Sequence, residues 1–476
     1  MKSQNKCILI LSILILEPAL FSYFEIFVND YIEITDSKFN EERIKTSTQQ
    51  TELITLWNLT YGGDYIDTAQ SIIKCTTGGY AITGWTNSSG AGDYDIWVVR
   101  LTNNGTLIWN YTYGGIGEDK GFQIIESSSG GFAIVSTYYN TTALYNNNDL
   151  YVIRLANDGN IIWNKTYSGP DQNATSIVSD LGRSIVECPN GDFLVAGATL
   201  NNAVEQNNGD IWLVRLTPSG NIIWQKRYHN RITDRCYEPH SLVRCKDGGF
   251  AIVGYTYNST TSNDIWLIRI DNNGDPIWNK TIGTSDYDRP EGIVECKNGD
   301  FGIIANSKGF GVGLNDAWVI RTDLAGNQLW NQSFGGNSED GGSQILEMPD
   351  DGFAVVGSTH SFDIGGGDLW LLRMDQNGTL LWNHTIGDPY GNGGATFVYE
   401  DNNTYICAGS TIRVGVPFQD MWVVKVHINI IPHSNGTPNG DIPWHIWITI
   451  VGIIIISVVS VIIIWRYFRK KARVQE

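Results

Sequence analysis

Residues 71–115 read SIIKCTTGGYAITGWTNSSGAGDYDIWVVRLTNNGTLIWNYTYGG. Four short runs rich in Ile, Val, Trp, Tyr and Thr are separated by Gly- and Asn-bearing turns, the pattern of β-strands joined by hairpins. We label them strand a (SIIKC), b (YAITGWT), c (DIWVVRL) and d (TLIWNYTY). The a–b turn holds Gly78-Gly79 and the c–d turn holds Gly105. Glycine enters the left-handed region that such turns require without a Cβ penalty.

The unit recurs along the chain. Trp57, Trp109, Trp163, Trp224, Trp278, Trp330 and Trp382 each precede Asn or Gln, at spacings of 52, 54, 61, 54, 52 and 52 residues. A second series, D-x-W/Y, runs Asp95/Trp97, Asp149/Tyr151, Asp210/Trp212, Asp264/Trp266, Asp316/Trp318, Asp368/Trp370 and Asp420/Trp422. Four antiparallel strands at such a period are the signature of propeller blades, which bury their faces only against neighbouring blades. No helical period of useful length interrupts residues 53–428.

The array enters with a lone strand d, Leu56-Trp57-Asn58-Leu59-Thr60, and leaves after strands a, b and c of residues 396–426. The expected fold is therefore all-β, a seven-bladed β-propeller closed by the N-terminal strand d. Six complete blades with frayed ends are the alternative. Each buried Trp removes about 150–250 Å² from water, on the order of 4–6 kcal/mol gross, so both Trp series are expected between blades.

The c–d hairpins RLTNNGTLIWN (100–110), RLANDGNIIWN (154–164) and RLTPSGNIIWQ (215–225) resemble the repeat of quinoprotein-type (PQQ-type) propellers. The string DGGFAIVG…DIWLIR…GDPIWNKT within 247–281 resembles secreted archaeal and bacterial propeller proteins and is similar to delta-60 repeats. The quinoprotein resemblance implies a vicinal cysteine pair beside a quinone. This chain has no adjacent cysteines and no acidic residue that matches the catalytic base. No cofactor is expected.

Both ends carry targeting signals. Residues 446–465, IWITIVGIIIISVVSVIIIW, are 20 residues without a charge. At about 1.5 Å per residue they match a bilayer core of roughly 30 Å. Arg466, Arg469, Lys470, Lys471 and Arg473 follow, and positive-inside logic places them in the cytoplasm. Lys2 and Lys6 before the apolar run 7–16 read as a secretory signal, or as an uncleaved anchor. The expected organisation is 1–22 signal peptide or N-terminal anchor, 23–52 polar lead-in, 53–428 propeller, 429–443 linker, 444–465 transmembrane helix and 466–476 basic cytoplasmic tail. The chain is then a plasma-membrane protein with its propeller outside.

Charge narrows the partners. Fifty acidic against 32 basic residues give −18, which excludes a nucleic-acid partner. The part between signal and tail holds 48 acidic and 25 basic residues. Such a surface attracts cations. Ca²⁺ is the one ion the acidic loops suggest, although no D-x-D-x-D-G loop is present.

Most repeated polar residues read as structural. Asp67, Asp119, Asp234, Asp288 and Asp340 lie ten residues after a strand-d Trp, with Asn173 and Asn392 in the two remaining places. Asp and Asn at such places tie turns to their own backbone. Arg100, Arg154, Arg215, Arg269, Arg321, Arg373 and Lys425 form a further series that needs buried partners. Cys75, Cys188, Cys245 and Cys296 recur at one place in different blades, too far apart for disulfides. Cys236 and Cys245 are the one plausible bridge.

The a–b and c–d turns share one face of a ring, the hairpin face. The d–a and b–c connections share the other, the loop face. Ligand-binding residues favour such loops, and departures from the repeat mark where to look. His229, Arg231, Asp234, Arg235, Tyr237, Glu238 and His240 stand where other blades have Gly and Ser, and Asp286, Asp288, Arg289 and Glu291 crowd the next loop. The 163–183 connection is also longer and ends on Arg183. Fourteen N-x-S/T sequons are glycosylation candidates: Asn58, Asn87, Asn104, Asn110, Asn140, Asn164, Asn173, Asn258, Asn279, Asn331, Asn377, Asn383, Asn402 and Asn435. No nucleophile elbow, phosphate loop or H-E-x-x-H is present. The expected function is an extracellular binding or adhesion module with a protein, glycan or surface-layer partner. The alternative is an extracellular enzyme, a quinoprotein-like oxidoreductase or a metal-assisted hydrolase.

Overall fold

The computed structural model describes residues 49–431 except 141–146, 170–177, 202–207, 230–234, 259–261, 363–364, 389 and 413–417. The expected signal or anchor, the lead-in to residue 48, the linker from 432, the apolar segment 444–465 and the tail 466–476 lie outside the described residues. Among the described residues no helix is long and apolar enough to cross a membrane.

The strands gather into antiparallel blades in the order a-b-c-d. In the first blade these are Asp67–Lys74, Tyr80–Thr86, Asp95–Leu101 and Leu107–Tyr113. The last blade takes Asn392–Tyr399, Thr404–Ile412 and Gln419–Ile430 from the end of the array, and its outermost strand is Thr51–Tyr61 from the beginning. The fold is a seven-bladed β-propeller, closed by the N-terminal strand d.

Burial follows strand position. Every residue of DIWVVRL at 95–101 is buried, because strand c has a strand on each side and a blade over each face. The outer strand Leu107–Tyr113 is largely exposed. The strand-c aromatics Trp97, Tyr151, Trp212, Trp266, Trp318, Trp370 and Trp422 are all buried. The strand-d series also packs between blades but is less buried. Only Trp382 is buried, and Trp57, Trp109, Trp163, Trp224, Trp278 and Trp330 are half-buried.

Each of those six lies on an edge strand and is covered from one side only, by the c–d turn of the following blade. The Trp163 indole donates to the Pro218 carbonyl (3.0 Å) and Trp330 donates to that of Gln376 (3.0 Å). A Cβ on Gly220, whose φ is +73°, would lie 2.8 Å from the Trp163 ring. Four residues further along the same strands, the hydroxyls of Tyr113, Tyr167 and Tyr228 donate to the carbonyls of Gly159, Gly220 and Gly274 in the same turns (2.6–2.7 Å). Trp382 faces the junction where the N-terminal strand enters. Leu53 packs into its cluster and Gln49 N–H reaches the Leu381 carbonyl (3.4 Å).

The cation series braces the a–b turns. Arg100 donates to the carbonyls of Tyr80 (3.2 Å), Leu101 (2.5 Å) and Gly78 (2.5 Å). Arg215 pairs with Asp192 (3.2 Å) and Lys425 with Glu400 (2.5 Å). Cys75, Cys188, Cys245, Cys296 and Cys407 are buried free thiols, so Cys245 bridges to nothing.

Candidate binding site at the axial mouth

The innermost strands converge on the ring axis, and each carries an irregularity at the same place. In the a–b pairings the register slips between Ala69 and Ser71, Gly121 and Gln123, Gly182 and Ser184, Pro290 and Gly292, Gly342 and Gln344, and Gly394 and Thr396. A β-bulge leaves one residue unpaired and re-aims its side chain. The residues left over are Gln70, Phe122, Arg183, Glu291, Ser343 and Ala395. All six line one cavity of about 580 Å³ at the loop face. In the fourth blade the slip spans Tyr237 to Ser241, so three residues, Glu238 to His240, occupy the place of one.

Glycine in strand b makes room for the bulge. A Cβ on Gly84 would lie 2.0 Å from the Thr68 carbonyl oxygen, and one on Gly357 would lie 1.8 Å from that of Gly341. This recurrent strand-interior glycine was the sequence signal for the bulges.

In five of the blades the residue after the bulge ties blade to blade. Ser71 Oγ accepts from Ile124 N–H (3.4 Å), Gln123 Oε1 from Ile185 N–H (2.7 Å) and Ser184 Oγ from Leu242 N–H (3.1 Å). Gln344 Oε1 accepts from Phe397 N–H (2.7 Å), and Thr396 Oγ1 accepts from Ile72 N–H (3.3 Å) across the ring closure. These groups line a second cavity of about 260 Å³ that continues from the mouth.

The mouth has chemically unlike walls. On one side Trp85 and Phe122 lie 6.1 Å apart at 57°, with Lys120 Nζ 5.7 Å from the Trp85 ring and the Arg183 guanidinium 4.1 Å over Phe122. On another, Arg289 pairs with Glu291 (3.4 Å), which also accepts from the Asn306 amide (3.2 Å). Gln70, Gln419, Ser343 and Ser410 complete the polar lining.

The residues singled out from sequence divide accordingly. Arg289 and Glu291 line the mouth. Asp288 is fully buried, and its carboxylate accepts from Ser307 Oγ and from Thr284 N–H (2.5 Å). Burial raises its pKa. Asp286 is exposed and caps its own turn through Tyr287 N–H (2.9 Å). His229 is exposed just after the strand Ile222–Tyr228. Arg231 and Asp234 lie outside the described residues, and Arg235, Tyr237, Glu238 and His240 are placed by backbone alone in Arg235–Arg244. Gln70, Phe122, Trp85 and Gln419 were not anticipated.

The described d–a aspartates prove to be buried turn ties. Asp67 accepts from Gly63 N–H (2.8 Å) and Ser88 Oγ (2.7 Å), and Asp340 from Gly336 N–H (2.7 Å) and Ser361 Oγ (2.6 Å). In the third blade Asp180, not Asn173, fills this place. It pairs with Thr199 as Asp67 pairs with Thr86, because the longer connection displaces it. Asp119 accepts from Gly115 N–H (2.6 Å) and Tyr139 N–H (2.7 Å). Burial, aided by Asp95, pushes its carboxyl up to about 6. Asp316 accepts from Val312 N–H (2.7 Å), and burial likewise pushes it up to about 6.

Among the described residues no group of three or more His, Cys, Asp or Glu is placed to hold a metal ion. A quinone with its vicinal cysteines does not fit. Four of the described thiols sit one per blade at the hairpin end of strand a, away from the mouth.

Sequons occupy several surfaces. Asn58, Asn110, Asn164 and Asn279 are exposed on outer strands, and Asn331 and Asn383 are half-buried there. Asn104, Asn377 and Asn402 are exposed in hairpin turns, and Asn87 is half-buried in a b–c loop. Asn140 and Asn258 end b strands, placed by backbone alone, and Asn173 and Asn435 lie outside the described residues.

No family model matches the chain, and no curated protein matches it. Solved structures similar to it include a protein of unknown function from Dyadobacter fermentans, at 13% identity and TM-score 0.46, covering 79% of this chain and 99% of that one. A PQQ-bound aldose sugar dehydrogenase from Streptomyces coelicolor is similar at 11% identity and TM-score 0.38, covering 80% and 99%. A puromycin hydrolase is similar at 12% identity and TM-score 0.48, covering 74% and 51%. At these scores the likeness carries no argument about activity.

Proposed function

We propose that the chain is a cell-surface, single-pass membrane protein whose extracellular propeller is a binding module, with the axial mouth as its recognition site. One observation carries this reading. Equivalent backbone positions in six of the seven blades present Gln70, Phe122, Arg183, Glu291, Ser343 and Ala395, six different side chains, to one cavity. A repeat that served packing alone would present like residues there, as it does at the buried strand-c aromatics. Rigid strands with variable side chains at one focus suit recognition.

Membrane attachment is supported by the uncharged run 446–465 and the basic residues after it. The last strand, Gln419–Ile430, runs from the loop face to the hairpin face. The chain thus leaves the ring on the face opposite the mouth. Abundant sequons agree with an exported surface.

Three measurements test the proposal. Alkaline carbonate should leave the full chain in the membrane pellet and release a chain ending at residue 443. Protease added to intact cells should digest the propeller and spare the tail. Binding is tested by passing the detergent-solubilised full chain over glycan and surface-protein arrays. No retained partner, together with turnover of a polymeric substrate, would replace the binding module by an enzyme.

A further inference from the structure

We infer that the outer rim of the ring carries N-linked saccharides at Asn58, Asn110, Asn164 and Asn279, the exposed asparagines of the strand-d repeat; this rests on the propeller being exported. Strand d reads W-N-x-T/S in six of the seven blades, with Thr60, Thr112, Thr166, Thr281, Ser333 and Thr385 as the hydroxyl residues. The remaining blade has Gln225 and Arg227 at these two places.

Packing alone would place asparagine here to accept from the strand-c indole, as Asn58, Asn110, Asn279, Asn331 and Asn383 do. Two blades exclude that as the sole reason. In the second blade Tyr151 stands where the indole would be, yet Asn164 and Thr166 are kept. In the third blade the indole is present as Trp212, yet both the asparagine and the hydroxyl residue are gone. There the Trp212 indole N–H and Gln225 Oε1 are buried and find no hydrogen-bond partner among the described residues. Asparagine therefore goes with the hydroxyl two residues on, not with the indole. That pair is what N-glycosylation reads.

Bond and modification are compatible at one amide. An indole N–H only donates, so the atom facing it is Oδ1, and Nδ2 points away from it. During export Nδ2 attacks the anomeric carbon of a saccharide carried on a lipid phosphate or diphosphate. The N–C bond forms as the C–O bond to phosphate breaks. The bonding pair leaves with the phosphate, and one amide proton passes to a base of the transferase. Oδ1 remains an acceptor, so the cross-strand bond survives in the folded ring.

The first blade shows a seat for the sugar. Asn110 and Leu107 lie opposite Val99 and Leu101 of strand c, and so share one face of the outer strand. Both line a cavity of about 380 Å³ that Thr60 and Tyr61, of the closing blade's outer strand, also line. Ser88 and Ser89 add hydroxyls that donate and accept, as sugar hydroxyls require. Leu107 is exposed, and a saccharide on Asn110 covers it.

The full chain is purified in detergent from the cells that naturally make it, and its peptides are mapped by mass spectrometry with fragmentation that locates each modified residue. Asn58, Asn110, Asn164 and Asn279 are expected to carry added saccharide mass. Thr112→Val keeps the β-branched shape and the Asn110 amide. It should strip the saccharide from Asn110 alone, with an unchanged melting curve. Unmodified asparagine at all four places, in a propeller that protease digests from outside intact cells, overturns the glycan assignment and leaves export standing. Unmodified asparagine in a propeller that the protease spares overturns export as well. Saccharide retained on Asn110 in Thr112→Val breaks the link to the hydroxyl residue and also overturns the assignment.

Discussion

The indole N–H of Trp422, on the third strand of the last blade, donates to Oδ1 of Asn58 on the strand Thr51–Tyr61, at 2.5 Å. The same bond recurs within uninterrupted blades, from Trp97 to Asn110 (3.4 Å), Trp266 to Asn279 (3.3 Å), Trp318 to Asn331 (3.1 Å) and Trp370 to Asn383 (3.3 Å). The closing blade thus uses the repeat's own cross-strand bond, with its partners 364 residues apart.

Removing that bond should loosen the ring. Asn58→Ala leaves a largely buried indole donor unpaired and should cost about 1–3 kcal/mol, read as a lower denaturant midpoint. Asn58 heads a sequon, so Thr60→Ala is the control. It removes the sequon, keeps the amide, and should leave the midpoint nearly unchanged. Equal losses in both variants would assign the effect to a glycan instead.

Two glycines separate packing from backbone strain. Gly220 and Gly248 both have positive φ, +73° and +99°. A Cβ on Gly220 meets the Trp163 ring at 2.8 Å, whereas one on Gly248 meets nothing within 4 Å. Gly248→Ala should cost about 1 kcal/mol from strain alone. Gly220→Ala should cost clearly more, because the indole must move from its turn. Matched losses in thermal melts would remove the Trp–turn contact from the account of blade packing.

The buried carboxylates predict how stability depends on pH. Burial raises Asp119 and Asp316 to about 6 in the folded ring, above the unfolded value of about 4. Between those values the folded state binds more protons, so these groups add stability as pH falls from 7 towards 5 and withdraw it as pH rises through 6. Asp316→Asn keeps an acceptor for Val312 N–H and should flatten the dependence of Tm on pH over that interval. An Asp316→Asn profile that parallels the unsubstituted one would contradict the assignment.

The thiols should be silent while the ring is folded. Burial pushes Cys75 up to about 11, and Cys245, Cys296 and Cys407 up to about 12. Thiolate is the reactive form. Iodoacetamide at pH 8 should leave these four unmodified in mapped peptides and should label them fully in denaturant.

Strands, turns and blade number were readable along the chain, because alternation, β-branched runs and turn glycines act over a few residues. The lone strand at 56–60 and the unfinished blade at 396–426 already implied closure. Residues 229–240 caught the eye by composition, yet Arg183, Arg289 and Glu291 share the mouth with Gln70 and Phe122, which have no distinctive local pattern. Only the tertiary structure could join them. In six of the inner strands one unpaired residue turns towards the axis, and the axis exists only once strands hundreds of residues apart have closed around it. The strand-d tryptophans were decided at the same level, since an edge position leaves each ring covered from one side by the next blade's turn.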